Sequence, residues 1–281
     1  MNLMSMIRPR NIKSKFFVFL TVILIFTGVN SASVPAANDV MLLKEPEPPG
    51  LFELAVFGFF RLGGMAPDYD HWIKSRKYYA SVPDELKEEY FLQKSIELGA
   101  QFSNYNLDED LLVIETEVIA ELKAATEEGK AVFSFRFPDD DKSKPFNPVF
   151  AFSYGPDVIA LKVIDLKFFS HMELSESQFK RMESKLDYSS DQEFPAILHL
   201  RVKPHFADHK KPVLSPDKTK QYIMEGKVGY VNCVQEDYFT HKKVELWDYV
   251  APWYKEIYER LIREAENPEG QYPHPYDLFK D

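Results

Sequence analysis

Two groups of residues in this sequence carry side chains suited to chemistry. The first is His205, Asp208 and His209, with His199 a few residues earlier. Imidazole and carboxylate together suit zinc, and two histidines four apart converge on one ion when the backbone between them turns helically. Here the segment follows Pro204 and reads as loop. Phe206, Ala207 and Asp208 between the histidines lack the glutamate of the zinc-protease spacing. His205, Asp208 and His209 are therefore a candidate metal set, with a solvated polar strand end as the alternative.

The second group is aromatic. Trp247, Tyr249, Trp253, Tyr254 and Tyr258 gather towards the C-terminus, and exposed rings there would stack on sugars or on the apolar surface of a partner. Trp247, Tyr254 and Tyr258 are the candidate ligand-binding residues. Core packing competes with that reading, because Trp253, Ile257 and Leu261 recur at helical spacing. Tyr254 and Tyr258 lie partly off this stripe, so their exposure decides between the two.

Other chemistry finds less support. No Gly-x-Ser-x-Gly elbow is present, Gly226-Lys227 lacks the rest of a phosphate-binding loop, and no dinucleotide fingerprint follows an expected strand. Paired carboxylates could cleave glycosides or peptides, yet 44 acidic residues offer no way to choose the pair. Asp139, Asp140 and Asp141 stand in a row without the alternate spacing and glycine of a calcium loop, and read as a solvated turn. Cys233 is the only cysteine; with no adjacent positive group it reads as a small buried hydrophobe. No cofactor is implied.

The elements that must position these groups begin with a leader. Residues 1–15 carry Arg8, Arg10, Lys13 and Lys15 and no acid, and residues 16–29 are almost unbrokenly apolar, ending in small residues with Ala32 and Ala36 as cleavage points. That is the layout of a secretory signal, and the run is shorter than the ~20 residues a spanning helix needs. No cysteine there offers a lipid anchor, and Arg8-Pro9-Arg10 is not a twin-arginine pair. The formal net charge is −10; without the four basic side chains of residues 1–32, 30 basic residues against 44 acidic ones give −14. So acidic a chain is a poor ligand for nucleic acid or an anionic membrane surface.

The expected organisation is a signal peptide over 1–32, a Pro-rich linker over 33–50, one α+β domain over 51–266 and a loose tail over 267–281. Residues 51–65 are apolar most of the way round a helix, which predicts burial. Membrane contact would come only through that segment or an uncleaved leader. Helices are expected over 69–79 and 81–102, the latter capped by Ser81 and Asp84 with Pro83 in its first turn. Strands are expected over 111–123, whose alternation also tolerates a helix ending near Gly129, and over 131–137, 149–154, 158–166, 197–205 and around 221–234. The run 158–166 is apolar on both alternating faces, so it should be central in the sheet. Ser175 and Gln178 form a capping box, opening a helix with Phe179, Met182 and Leu186 on one face. A final helix starts near Pro252.

The fold class expected is α+β, a mainly antiparallel sheet covered by several helices, with an N-terminal helical part and a closing C-terminal helix. The function expected is that of an exported bacterial envelope protein, periplasmic or secreted, that binds a protein or envelope component. The alternative is an envelope hydrolase using carboxylates or a His205/His209 metal site.

Overall fold

The structure is a computed structural model that describes residues 48–125, 129–138, 140, 146, 148–186, 193–215, 218–236 and 243–266. The expected leader, most of the linker and the tail lie outside the described residues, as do Asp139 and Asp141.

The chain opens with α1 (Leu51–Leu62), and Ala55, Val56 and Phe57 on it have no exposed surface. The middle of the apolar run is thus buried within the chain itself, while Phe52 and Met65 towards its ends are exposed. A Cβ on Gly58 would come within 2.7 Å of Pro204 Cγ, so the missing side chain lets α1 lie directly on the sheet. Arg61, at the other end of α1, donates to the carbonyls of Phe102 and Tyr105. There it satisfies acceptors that the next long helix leaves open at its end.

Two expected helices divide differently. Residues 69–79 form α2 (Tyr69–Lys74) and α3 (Lys77–Ser81). The long helix is α4 (Lys87–Asn104), entered through a 3-10 turn at Asp84–Leu86. Ser81 does not cap it; its hydroxyl donates back to the Tyr78 carbonyl. The extended backbone at Val82 and Pro83 separates the two, as the restriction on a residue preceding proline favours.

The sheet contains β1 (Leu112–Lys123), β2 (Ala131–Arg136), β3 (Val149–Tyr154), β4 (Asp157–Val163), β5 (His171–Leu174), β6 (Glu193–Ala207), β7 (Val213–Leu214), β8 (Lys220–Glu236) and β9 (Lys243–Val250). Its order is β3-β4-β8-β6-β1-β2-β5, with β7 and β9 also on β8. The α+β class stands, but the sheet is mixed and not mainly antiparallel, because β4 and β8 run parallel. As the two-sided apolar run requires, β4 is interior, between β3 and β8, with Ile159 and Leu161 wholly buried. Gly155, at φ +65, makes the first corner of the β3–β4 turn before Pro156, where a tight hairpin needs positive φ.

Strand β8 holds the sheet together, and β4 and β9 pair with successive parts of it. Between those parts, the Asp165 carboxylate accepts the Val228 N–H at 2.9 and 3.1 Å, and the Ala251 N–H donates to the Gly229 carbonyl. These contacts satisfy backbone groups that neither strand reaches. The register against β6 skips Gly229 on β8 and His205 on β6, so both lie at bulges. Strand β9 was not expected, and it places Trp247 and Tyr249 on the sheet instead of beside the last helix.

One sheet face carries the core: Leu112, Ile114, Leu122, Phe133, Leu198, Leu200 and Val231 pack with α1, Trp72 and Leu98. Cys233 is wholly buried there, and burial pushes its thiol well up. The capping box forms as expected, with Ser175 accepting the Gln178 N–H and Gln178 taking the Ser175 N–H, and it starts α5 (Glu176–Glu183). The closing helix, α6 (Lys255–Glu266), packs with Leu111, Tyr230 and Ala251 as a second, smaller cluster.

Candidate functional site

The structure separates the three metal candidates. His205 is exposed at its bulge on β6. Asp208 accepts from the backbone N–H groups of Lys210 and Lys211, closing a turn. His209 lies under the end of α1, its ring 4.1 Å from that of Phe59 and in the space a Gly63 side chain would fill. Burial lowers the His209 pKa, favouring the neutral ring. Among the described residues no three His, Cys, Asp or Glu side chains come together to hold a metal.

The aromatic candidates also part. Tyr254 is 1% exposed and accepts from Arg201 Nη1 at 3.2 Å, so it is core and not contact surface. Tyr258 is half-buried and stacks on Tyr230 with ring centroids 5.1 Å apart. Trp247 packs on Phe133 and Phe169. Ile257 and Leu261 pack as the expected stripe has them, with Tyr258 beside them, but Tyr254, just ahead of α6, takes the inward place expected of Trp253, which is left 40% exposed.

Trp253 and His205, one from each neighbourhood, meet across a groove of about 400 Å³. Asp108, Lys203, His205, Lys227, Trp253 and Ile257 line it. Lys203 and His205 come from β6 and Lys227 from β8. Asp108 belongs to the α4–β1 loop, in which Asn106 accepts the Asp108 N–H. Lys203 is ion-paired with Asp108 and lies 5.5 Å from the Trp253 ring centroid. Gly229 allows the wall to close: a Cβ there would stand 3.0 Å from Trp253 and 3.1 Å from Tyr254. Without a side chain at that bulge, the start of α6 rests directly on β8.

Lys203 and Lys227 are register partners, directly opposite on neighbouring strands. Like charges so placed repel. Asp108 answers one of them. Lys227 senses the carboxylate of Asp165 but forms no ion pair among the described residues. The alternation of His199, Arg201, Lys203 and His205 with Leu198, Leu200 and Val202 predicts a basic outer face for residues 197–205, and it is real at Lys203 and His205. It does not extend to His199, which is 6% exposed with Nδ1 3.3 Å from Glu115 Oε2. His199 holds the Glu115 carboxyl below the usual range. Beside it, Asn232 donates to the Tyr230 hydroxyl and to Glu245, both at 3.0 Å.

A second concavity, of about 330 Å³, lies over the far end of the same face. Glu193, Glu121, Ser134 and His171 form one row across β6, β1, β2 and β5 and line it, together with Arg136 and Asp140. Glu121 pairs with Lys123 at 3.0 Å and Glu193 with Arg136 at 3.1 Å.

Sequence reasoning missed Lys227, Asp108 and the exposure of Trp253. The alternation that marked Lys203 and His205 as outward-facing was the one available signal. Searched against known proteins, the chain matches no family model, no curated protein and no solved structure.

Proposed function

We propose that the chain is an exported binding protein, acting in the periplasm or outside the cell, that holds a ligand in the groove between α6 and the β6/β8 ladder. The observation that carries this reading is the exposed Trp253 ring set beside Lys203, His205 and Lys227 over a concavity of about 400 Å³. Sites for small ligands commonly have about 300–1,000 Å³, an apolar wall and a few convergent polar groups. Trp253 and Ile257 supply the wall, and the two lysines, His205 and Asp108 supply the polar groups. The ligand is a small molecule or a protruding group of an envelope component. Export rests on the basic and then apolar residues 1–29.

The test is a thermal-shift screen with sugars, peptides and small organic ions, run in parallel on the protein and on Trp253→Ala. A ligand at a hundred times its dissociation constant adds about 2.7 kcal/mol to stability. A compound that stabilises the protein but not the variant supports the groove; equal stabilisation of both places binding elsewhere.

A hydrolase is the second reading, and Glu121 and Glu193 favour it as directly opposed carboxylates in the second concavity. Two facing carboxylates are the pair that most glycoside hydrolysis uses. Chromogenic glycosides turned over by the protein and not by Glu121→Gln or Glu193→Gln would favour it over the groove.

A further inference from the structure

Resting on the reading of the groove as the binding site, we infer that its ligand is an organic anion: a carboxylate or phosphate joined to a flat apolar body. The chain as a whole carries a net charge of −10, yet here Lys203 and Lys227 are opposed in register, with exposed His205 beside them and Asp108 as the single acid of the lining. A like-charged cross-strand pair disfavours the empty fold, and an anionic group at Lys227 relieves what Asp108 leaves of that repulsion. Asp108 neutralises Lys203, which leaves Lys227 as the cation available to the ligand. Charge-assisted hydrogen bonds from ammonium to carboxylate or phosphate are among the stronger polar contacts.

The rest of the lining specifies the other half of the ligand. Trp253 offers an exposed ring and Ile257 extends the apolar wall beyond it. A flat body stacks there while its charged group reaches the lysines. An inorganic ion would use the lysines and leave the wall wet. A neutral aromatic would cover the wall and leave the lysines opposed.

Calorimetric titration of the full chain with phenyl phosphate, benzoate, benzyl alcohol and inorganic phosphate tests this, with Lys227→Met and Trp253→Ala as variants. Phenyl phosphate, benzoate or both should bind at least about tenfold tighter than benzyl alcohol and inorganic phosphate, and Lys227→Met should remove that advantage. Which anion binds identifies the charged group. Benzyl alcohol binding as tightly as the anions, and lost in Trp253→Ala, overturns the anion while leaving the groove in place. Binding that Trp253→Ala leaves unchanged overturns the groove reading itself. No heat from any of the four overturns the inference. An unchanged urea midpoint or better in Lys227→Met shows that its loss of binding is not a loss of fold.

Discussion

Lys203 and Lys227 stand directly opposite one another across β6 and β8, two ammonium-bearing side chains in a single cross-strand pair. Such a pair opposes folding, and salt screens it. Lys227→Met keeps the aliphatic stem and removes one charge, so it should raise stability by on the order of 0.5 kcal/mol at low ionic strength. The gain should shrink at high salt. Urea unfolding at two salt concentrations measures both. A loss of stability in the variant would mean that Lys227 already has a partner.

Gly229 is the extra residue at the β8 bulge, and a Cβ there would press on Trp253, Tyr254 and Leu111 at 3.0 to 3.2 Å. Gly229→Ala should cost about 1–3 kcal/mol through overpacking. It should also displace the start of α6, and with it the groove wall. Chemical denaturation gives the first effect, and the near-ultraviolet circular dichroism of the Trp253 and Tyr254 region the second.

How much of this was legible in the sequence depends on how local each cause is. The Ser175 and Gln178 capping box and the two-sided burial of β4 were readable because a few neighbouring residues determine each. Tyr254 was misjudged because its burial depends on the bulge at Gly229, on a distant strand, against which its ring packs. Strand β9 was missed because Trp247 and Tyr249 suit a helix flank as well as a strand, and only pairing with β8 decides. The groove was unreadable for the same reason: Lys203 faces Lys227 only once the register exists, and Asp108 arrives from nearly a hundred residues earlier.

Asp165 joins the β4 and β9 sections of the sheet by accepting the Val228 N–H on both carboxylate oxygens. Burial raises its pKa, so its charged form is disfavoured in the fold. Asp165→Ala leaves a half-buried donor unanswered and should cost about 1–3 kcal/mol. Asp165→Asn retains an acceptor and should cost clearly less. Paired urea titrations of the two variants decide; equal losses would show that the Val228 hydrogen bond is not what Asp165 contributes.

Glu115 is held below its usual pKa by His199. The unfolded chain therefore takes up this proton at higher pH than the folded one. The stabilisation is fully present above the ordinary carboxylate range and is lost as pH falls through the lower folded value. Glu115→Gln should be less stable than the protein near neutrality, with the gap closing in acid. Urea midpoints across pH report it, and a gap that stays constant with pH would contradict the pairing.

The central claim, that the groove beside Trp253 is the binding site, is most directly tested through the side-chain N–H resonances of Trp72, Trp247 and Trp253. Each is assigned by substitution and followed while adding the compound that most raises the melting temperature. Trp72 and Trp247 pack in the main core, whereas Trp253 is exposed. The account predicts that the Trp253 resonance moves in a saturable way while the other two stay in place. A Trp253 resonance that does not respond to a compound that stabilises the protein would contradict it.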